Sequence, residues 1–68
     1  MTELNSIQKK ILETLLEYNR FLTTTEASKK SGVSWNTAKA YLEDFFSKGW
    51  IEHKKNGNRD LWKANSPK

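Results

Sequence analysis

Gly32-Val33-Ser34-Trp35-Asn36-Thr37-Ala38-Lys39-Ala40-Tyr41-Leu42 is the stretch on which the fold of this 68-residue chain turns. Ser34 is suited to cap a helix, its hydroxyl accepting a backbone N–H of the next turn, and Gly32 supplies the permissive backbone of a tight connection. Stepping by about 3.6 residues from Ala38 gathers Ala38, Tyr41, Leu42, Phe45 and Phe46 on one face. Asn36, Lys39, Ala40, Glu43 and Ser47 fall opposite. One side belongs to a core; the other is offered to a partner. The helix is predicted over residues 34–48, with Gly49 as its left-handed stop.

Upstream, Thr23-Thr24-Thr25-Glu26 reads as Ser/Thr-x-x-Glu, a capping box that satisfies two orphan N–H donors at a helix start. A short helix follows over 24–31, and its inward residues Ala27, Ser28 and Ser31 are small. Lys29 and Lys30 close it, either as solvated charges that complement the helix dipole or as phosphate contacts. Helix, glycine turn, serine cap and second helix together resemble a helix-turn-helix. The resemblance is to the winged helix-turn-helix family of small transcription regulators, of the compact archaeal, plasmid and viral kind. It is carried by Ser28 four residues before Gly32, by apolar Ala27, Val33, Ala38 and Tyr41, and by the Gly49-Trp50-Ile51 exit. The pattern departs at Ser28, where Ala is commoner, and at Ser31, where an apolar residue is usual. The resemblance implies an α+β fold, mostly α, with three helices and a C-terminal two- or three-stranded wing. It also implies DNA binding.

Outside this centre, Leu4, Ile7, Ile11, Leu15 and Tyr18 recur at helical spacing, with Leu12 and Leu16 widening the stripe. A first helix is expected from residue 4 or 5 to Tyr18, capped by Asn5 with Gln8 and stopped by Asn19. Leu12 and Leu16 either line the domain rim or belong to a dimer contact. Phe21-Leu22-Thr23 is too short for an independent strand; in the family such a segment pairs with the wing. At the other end, Trp50 to Lys55, Asn56-Gly57 and Asn58 to Ala64 read as a hairpin around a two-residue turn. That register sets Ile51 opposite Trp62, Glu52 opposite Leu61, His53 opposite Asp60 and Lys54 opposite Arg59. One domain is expected over 1–64, with a disordered tail over 65–68.

Composition narrows the function. With no cysteine, disulfides and thiolate metal sites are ruled out, and stability must come from packing. No apolar run reaches the roughly 20 residues of a membrane span, and a cytoplasmic location without membrane contact is expected. His53 is the single histidine, and Gly32, Gly49 and Gly57 lie in three separate connections, so neither a nucleophile dyad nor a phosphate-cradling loop is legible. Catalysis, a cofactor, a metal and a small-molecule substrate are not expected. The net charge is +4, and its excess gathers from Trp50 onward, where Lys54, Lys55, Arg59, Lys63 and Lys68 outnumber Glu52 and Asp60. A basic hairpin beside a polar helix face suits a polyanion.

Double-stranded DNA is the expected partner. Asn36 suits adenine N6 and N7, Lys39 suits guanine, Ala40 suits a thymine methyl, and Glu43 suits cytosine N4. Ser34 and Thr37 are placed as caps or phosphate contacts. Trp35 packs on sugar or base edges, or else shields the second helix. Lys54, Lys55, Asn56, Asn58 and Arg59 form the wing's contact with backbone or minor groove. A symmetric homodimer is the usual route to specificity for so small a module, with Leu12, Leu16, Trp50 and the helix-one rim as its candidate surface. Two rivals share these residues: a protein-interaction module anchored by Trp35 and Trp50, and an RNA-binding module in which Trp35 stacks on a base.

Overall fold

The computed structural model describes residues 5–65, and helix stops dictate much of its shape. Helix α1 spans Ser6–Tyr18, strand β1 Leu22–Thr23, helix α2 Thr24–Ser31, helix α3 Trp35–Ser47, strand β2 Ile51–Asn56 and strand β3 Arg59–Ala64. The strands form one antiparallel sheet in the order β1-β3-β2, with β3 central. Three helices and a three-stranded wing are the architecture expected from the sequence. Leu4 and the tail residues 66–68 lie outside the described residues.

Each helix is fixed by its ends. The Asn5 side-chain Oδ1 accepts from Gln8 N–H at 2.7 Å while the Asn5 backbone N–H donates to Gln8 Oε1 at 2.9 Å, and Asn19 ends α1 with φ 50. Thr23 and Glu26 make the same reciprocal pair at 3.0 and 3.1 Å. Gly32, at φ 77, then donates to Lys29 O, and Val33 donates to Ser28 O. Gly49, at φ 80, donates to Phe46 O while Trp50 donates to Phe45 O. Both are Schellman turns, in which two otherwise unpaired carbonyls are capped by the backbone that leaves the helix. Trp50 also stacks on Phe45, with ring centroids 5.5 Å apart, which is the apolar contact that accompanies such a turn.

The core joins every element: Ile11 and Leu15 from α1, Leu22 from β1, Ala27 from α2, Ala38, Leu42 and Phe45 from α3, and Ile51, Trp62 and Ala64 from the sheet. Ser28 and Ser31 are buried without loss because their hydroxyls donate to Thr25 O at 2.9 Å and Ala27 O at 2.6 Å. Their small size lets α2 lie close to its neighbours. The Trp62 indole N–H donates to Thr24 Oγ1 at 2.9 Å within the core, so the wing is tied to the start of α2 by a polar link as well as by packing.

Four expectations are corrected. The hairpin turn is Gly57-Asn58, with Gly57 at φ 65, so Asn56 pairs with Arg59, Lys54 with Leu61, His53 with Trp62, Glu52 with Lys63 and Ile51 with Ala64. This register is two residues from the predicted one; it keeps every face because side chains alternate with period two, and it brings Ala64 into the core opposite Ile51. A glycine at positive φ as the first central residue is the II′ arrangement. Phe46 is 48% exposed, because Phe45 and Leu42 already fill the core side of α3. Ile7 and Tyr18, the ends of the α1 stripe, are likewise exposed large residues beyond the reach of the small core. Asn65, expected in the tail, donates through its side chain to Gly49 O at 2.7 Å and through its backbone to Trp50 O at 3.2 Å.

Thr24→Val leaves the Trp62 indole N–H buried without an acceptor and is expected to cost about 1–3 kcal/mol of stability. In a domain of this size that lowers the melting temperature by roughly 4–8 °C per kcal/mol. Thermal unfolding followed by circular dichroism measures it, with Thr24→Ser, which keeps the hydroxyl, losing much less.

Candidate nucleic-acid interface

The Ser34 cap decides what α3 presents. Its Oγ accepts from Thr37 N–H at 3.2 Å and donates to Thr37 Oγ1 at 2.9 Å, so both hydroxyls are occupied in fixing the first turn. Beyond the cap, Asn36, Ala40 and Glu43 are exposed and fall in one line along the helix, opposite Ala38, Leu42 and Phe45. Trp35, 47% exposed, and half-buried Lys39 border that line. The expected exposed face is thus present, and Trp35 is left uncovered on part of its surface.

Lys39 is held on several sides. Its Nζ donates to Glu43 Oε2 at 2.9 Å and lies 5.9 Å from the centre of the Trp35 ring. The hydrogen bond and charge of Glu43 raise the Lys39 pKa, burial opposes them, and the more distant Asp60 carboxylate adds to the rise. Asp60 in turn accepts from His53 Nε2 at 3.0 Å. The predicted His53–Asp60 contact therefore exists, as a diagonal across the hairpin. The His53 ring packs against Trp62 at 4.4 Å between centroids and against Phe46 at 5.4 Å. That hydrogen bond holds the Asp60 carboxyl below its ordinary range; burial works against it, and the charges of His53, Lys39 and Lys55 assist.

The hairpin tip divides its basic residues between two faces. Lys55 shares a face with Asp60, whereas Lys54, Asn56 and Arg59 lie on the other. Lys54 is drawn over the Phe21 ring, 4.8 Å from its centre, so it stands back from the tip cluster the sequence suggested. Lys55 and Arg59 make no ion pair among the described residues, while Lys48 is spent on Asp44 at 3.0 Å. Lys30 lies over the Tyr18 ring at 4.7 Å. Between helix-turn-helix and wing runs a groove of about 480 Å³ lined by Thr23, Thr24, Thr25, Glu26, Trp35, Asn58, Arg59 and Asp60. Thr25 and Asp60 were not legible as part of this surface, because only the antiparallel pairing of β1 with β3 brings the start of α2 beside the hairpin. Among the described residues no cluster of His, Asp and Glu is arranged to hold a metal, and no helix is long and apolar enough to cross a membrane.

An exposed polar line on the second helix of a helix-turn-helix stands beside a hairpin whose Lys55 and Arg59 are unpaired among the described residues, and residues 4–52 match a family model described as winged helix-turn-helix DNA-binding. The chain belongs to that family. Among solved structures, this winged-helix domain is similar to a cysteine-to-serine mutant of MarR from E. coli, at 25% identity over 94% of this chain and 48% of that one, with a TM-score of 0.79. It is also similar to the homodimeric winged helix-turn-helix DNA-binding domain of a possible ArsR-family transcriptional regulator from Mycobacterium bovis, at 23% identity, 88% and 54% coverage and a TM-score of 0.74. A structure concerned with the DNA recognition and protein interaction domains of HOP2 matches at 22% identity over 88% of this chain and 100% of that one, with a TM-score of 0.77. The winged-helix chain spans about half the length of the two bacterial chains. No curated protein matches its sequence.

Because the Asp60 pKa is lowered in the folded state, its contribution to stability is present above the unfolded value, near pH 4, and is lost as pH falls through the lower folded value. Acid unfolding curves should show this dependence in the wild type and a flatter one in Asp60→Asn.

Proposed function

We propose that this domain recognises double-stranded DNA by sequence and serves as a transcriptional regulator in the cytoplasm. The observation that carries the proposal is the exposed line Asn36, Ala40 and Glu43, held clear of the core by the Ser34 cap and flanked by Lys55 and Arg59, which make no ion pair among the described residues. In this reading α3 enters the major groove with its first turn nearest the bases, where Asn36 bridges adenine N6 and N7 and Ala40 meets a thymine methyl. Lys39 reaches guanine at the border of the same face. Ser34 and Thr37, already bonded to each other, stand beside the phosphates, and Trp35 packs against the sugar edge. Lys55, Asn56, Asn58 and Arg59 hold the backbone or minor groove, with Lys54 behind them.

Selection of bound duplexes from a random pool tests the reading. Asn36→Ala or Lys39→Ala is expected to weaken the selected duplex by roughly 5- to 100-fold and random duplex little. Lys55→Ala or Arg59→Ala should weaken all duplexes alike and shallow the salt dependence by about 0.9 in log–log slope for each lost phosphate contact. Equal losses on selected and random DNA from all four variants refute this division of labour.

A homodimer fits the same function, since the M. bovis relative is homodimeric and one small module buries little DNA surface. Leu16 is 52% exposed on α1, Leu12 lies half-buried beside it, and Trp50 is a further exposed aromatic. Lys9 and Lys10 occupy the first half of this helix and Glu13 and Glu17 the second, none in an ion pair among the described residues. Two copies of α1 laid antiparallel about a two-fold axis place each basic half against an acidic one, with the leucines between. Light scattering at micromolar concentration should report a dimer that Leu16→Glu dissociates; a strict monomer that still binds its operator tightly removes the dimer from the proposal.

A further inference from the structure

Lys39 and Glu43 form an ion pair at 2.9 Å in the middle of the face proposed to meet DNA. Helix stability favours it only weakly. In an i,i+4 pair the favourable order places the acid first, as Asp44 and Lys48 do at the end of α3; Lys39 and Glu43 run the other way. Glu43 also sets a carboxylate where a polyphosphate must approach, which costs affinity for every duplex. Its effect on Lys39 is specific. A free lysine on this face is a long, mobile cation that any phosphate satisfies. Bound to Glu43, with Trp35 beneath the ammonium, it is drawn along the helix and its charge is locally cancelled.

A base pair can undo what a phosphate cannot. The amino group at cytosine N4 donates to a carboxylate, and guanine O6 and N7 accept from an ammonium. Both halves of the ion pair then exchange one partner for another with nothing left unpaired, whereas a phosphate that captures Lys39 leaves Glu43 facing negative charge. A surface pair of this kind, with Glu43 exposed and Lys39 half-buried, is weak enough for such an exchange. We propose that Glu43 is the specificity-determining residue of the interface: it withholds Lys39 from phosphates and releases it where a cytosine amino group takes its carboxylate, so that the preferred duplex carries a C·G pair with a guanine in reach of Lys39. Discrimination here arises from an unfavourable element aimed at wrong partners as much as from a favourable one aimed at the right duplex. The inference rests on the DNA reading above.

Three variants, Glu43→Gln, Lys39→Met and the double variant, separate the possibilities when titrated by fluorescence anisotropy against the pool-selected duplex and a random duplex at two salt concentrations. Glu43→Gln is expected to tighten binding to random duplex several-fold, to steepen its salt slope by about 0.9 for the phosphate contact Lys39 gains, and to lower the selected-to-random ratio by about tenfold. The double variant should bind random duplex no better than Lys39→Met. Unchanged random-duplex affinity in Glu43→Gln overturns the inference, as does a gain that persists without Lys39 or a selected duplex that lacks a C·G pair. Each of these outcomes leaves the DNA reading standing. A wild-type protein that retains no duplex from the pool overturns that reading and this inference together.

Discussion

The hydrogen bond from the Trp62 indole to Thr24 joins the two halves of this molecule. Trp62 stands on the central strand and Thr24 opens α2, so the link fixes where the hairpin sits relative to the helix-turn-helix. Burial of both residues makes the bond strict, because an indole N–H in a dry core has no water to turn to. The wing side of the candidate interface follows from that placement. The groove between α2, Trp35 and the hairpin depends on that placement, which the pairing of β1 with β3 sets and the indole bond locks, and His53 packs between Phe46 and Trp62 on the same strand face.

Local signals were legible wherever a few adjacent residues determine the outcome. Asn5 with Gln8, Thr23 with Glu26, and Ser34 with Thr37 each cap a helix within four residues of chain, and Gly32 and Gly49 take the left-handed backbone their positions imply. The hairpin register was not legible, and the reason is physical. Shifting a pairing by two residues returns every side chain to the same face, so an alternating pattern cannot distinguish the two registers. What decides between them is tertiary: Ala64 reaches the core opposite Ile51, and Trp62 meets the His53 ring. Phe46 misled in a related way, since helical periodicity ranks it with the core while the width of the core decides whether it enters.

Charge shows the same divide. The sequence displays an excess of cations toward the hairpin, and the fold decides which of them remain available. Lys48 is engaged by Asp44, Lys54 lies on Phe21, Lys39 is bound by Glu43, and Lys55 and Arg59 stay unpaired among the described residues. A count of charges therefore overstates the reach of this surface, and the two carboxylates within it, Glu43 and Asp60, shape it as much as the lysines do. Both act on Lys39, one through a hydrogen bond and the other at longer range.

The glycine turns on either side of α3 leave one more mark. Backbone hydrogen bonds at Gly32 and Gly49 and core side chains on one flank set the position of this helix, and the outward residues Asn36 and Ala40 are exposed to solvent. Exchanging those outward residues removes no packing, so their stability cost is small. The scaffold can thus acquire a new address by substitutions at a few outward positions while its frame is inherited unchanged, a separation that leaves descendants free to diverge in target without first relearning how to fold.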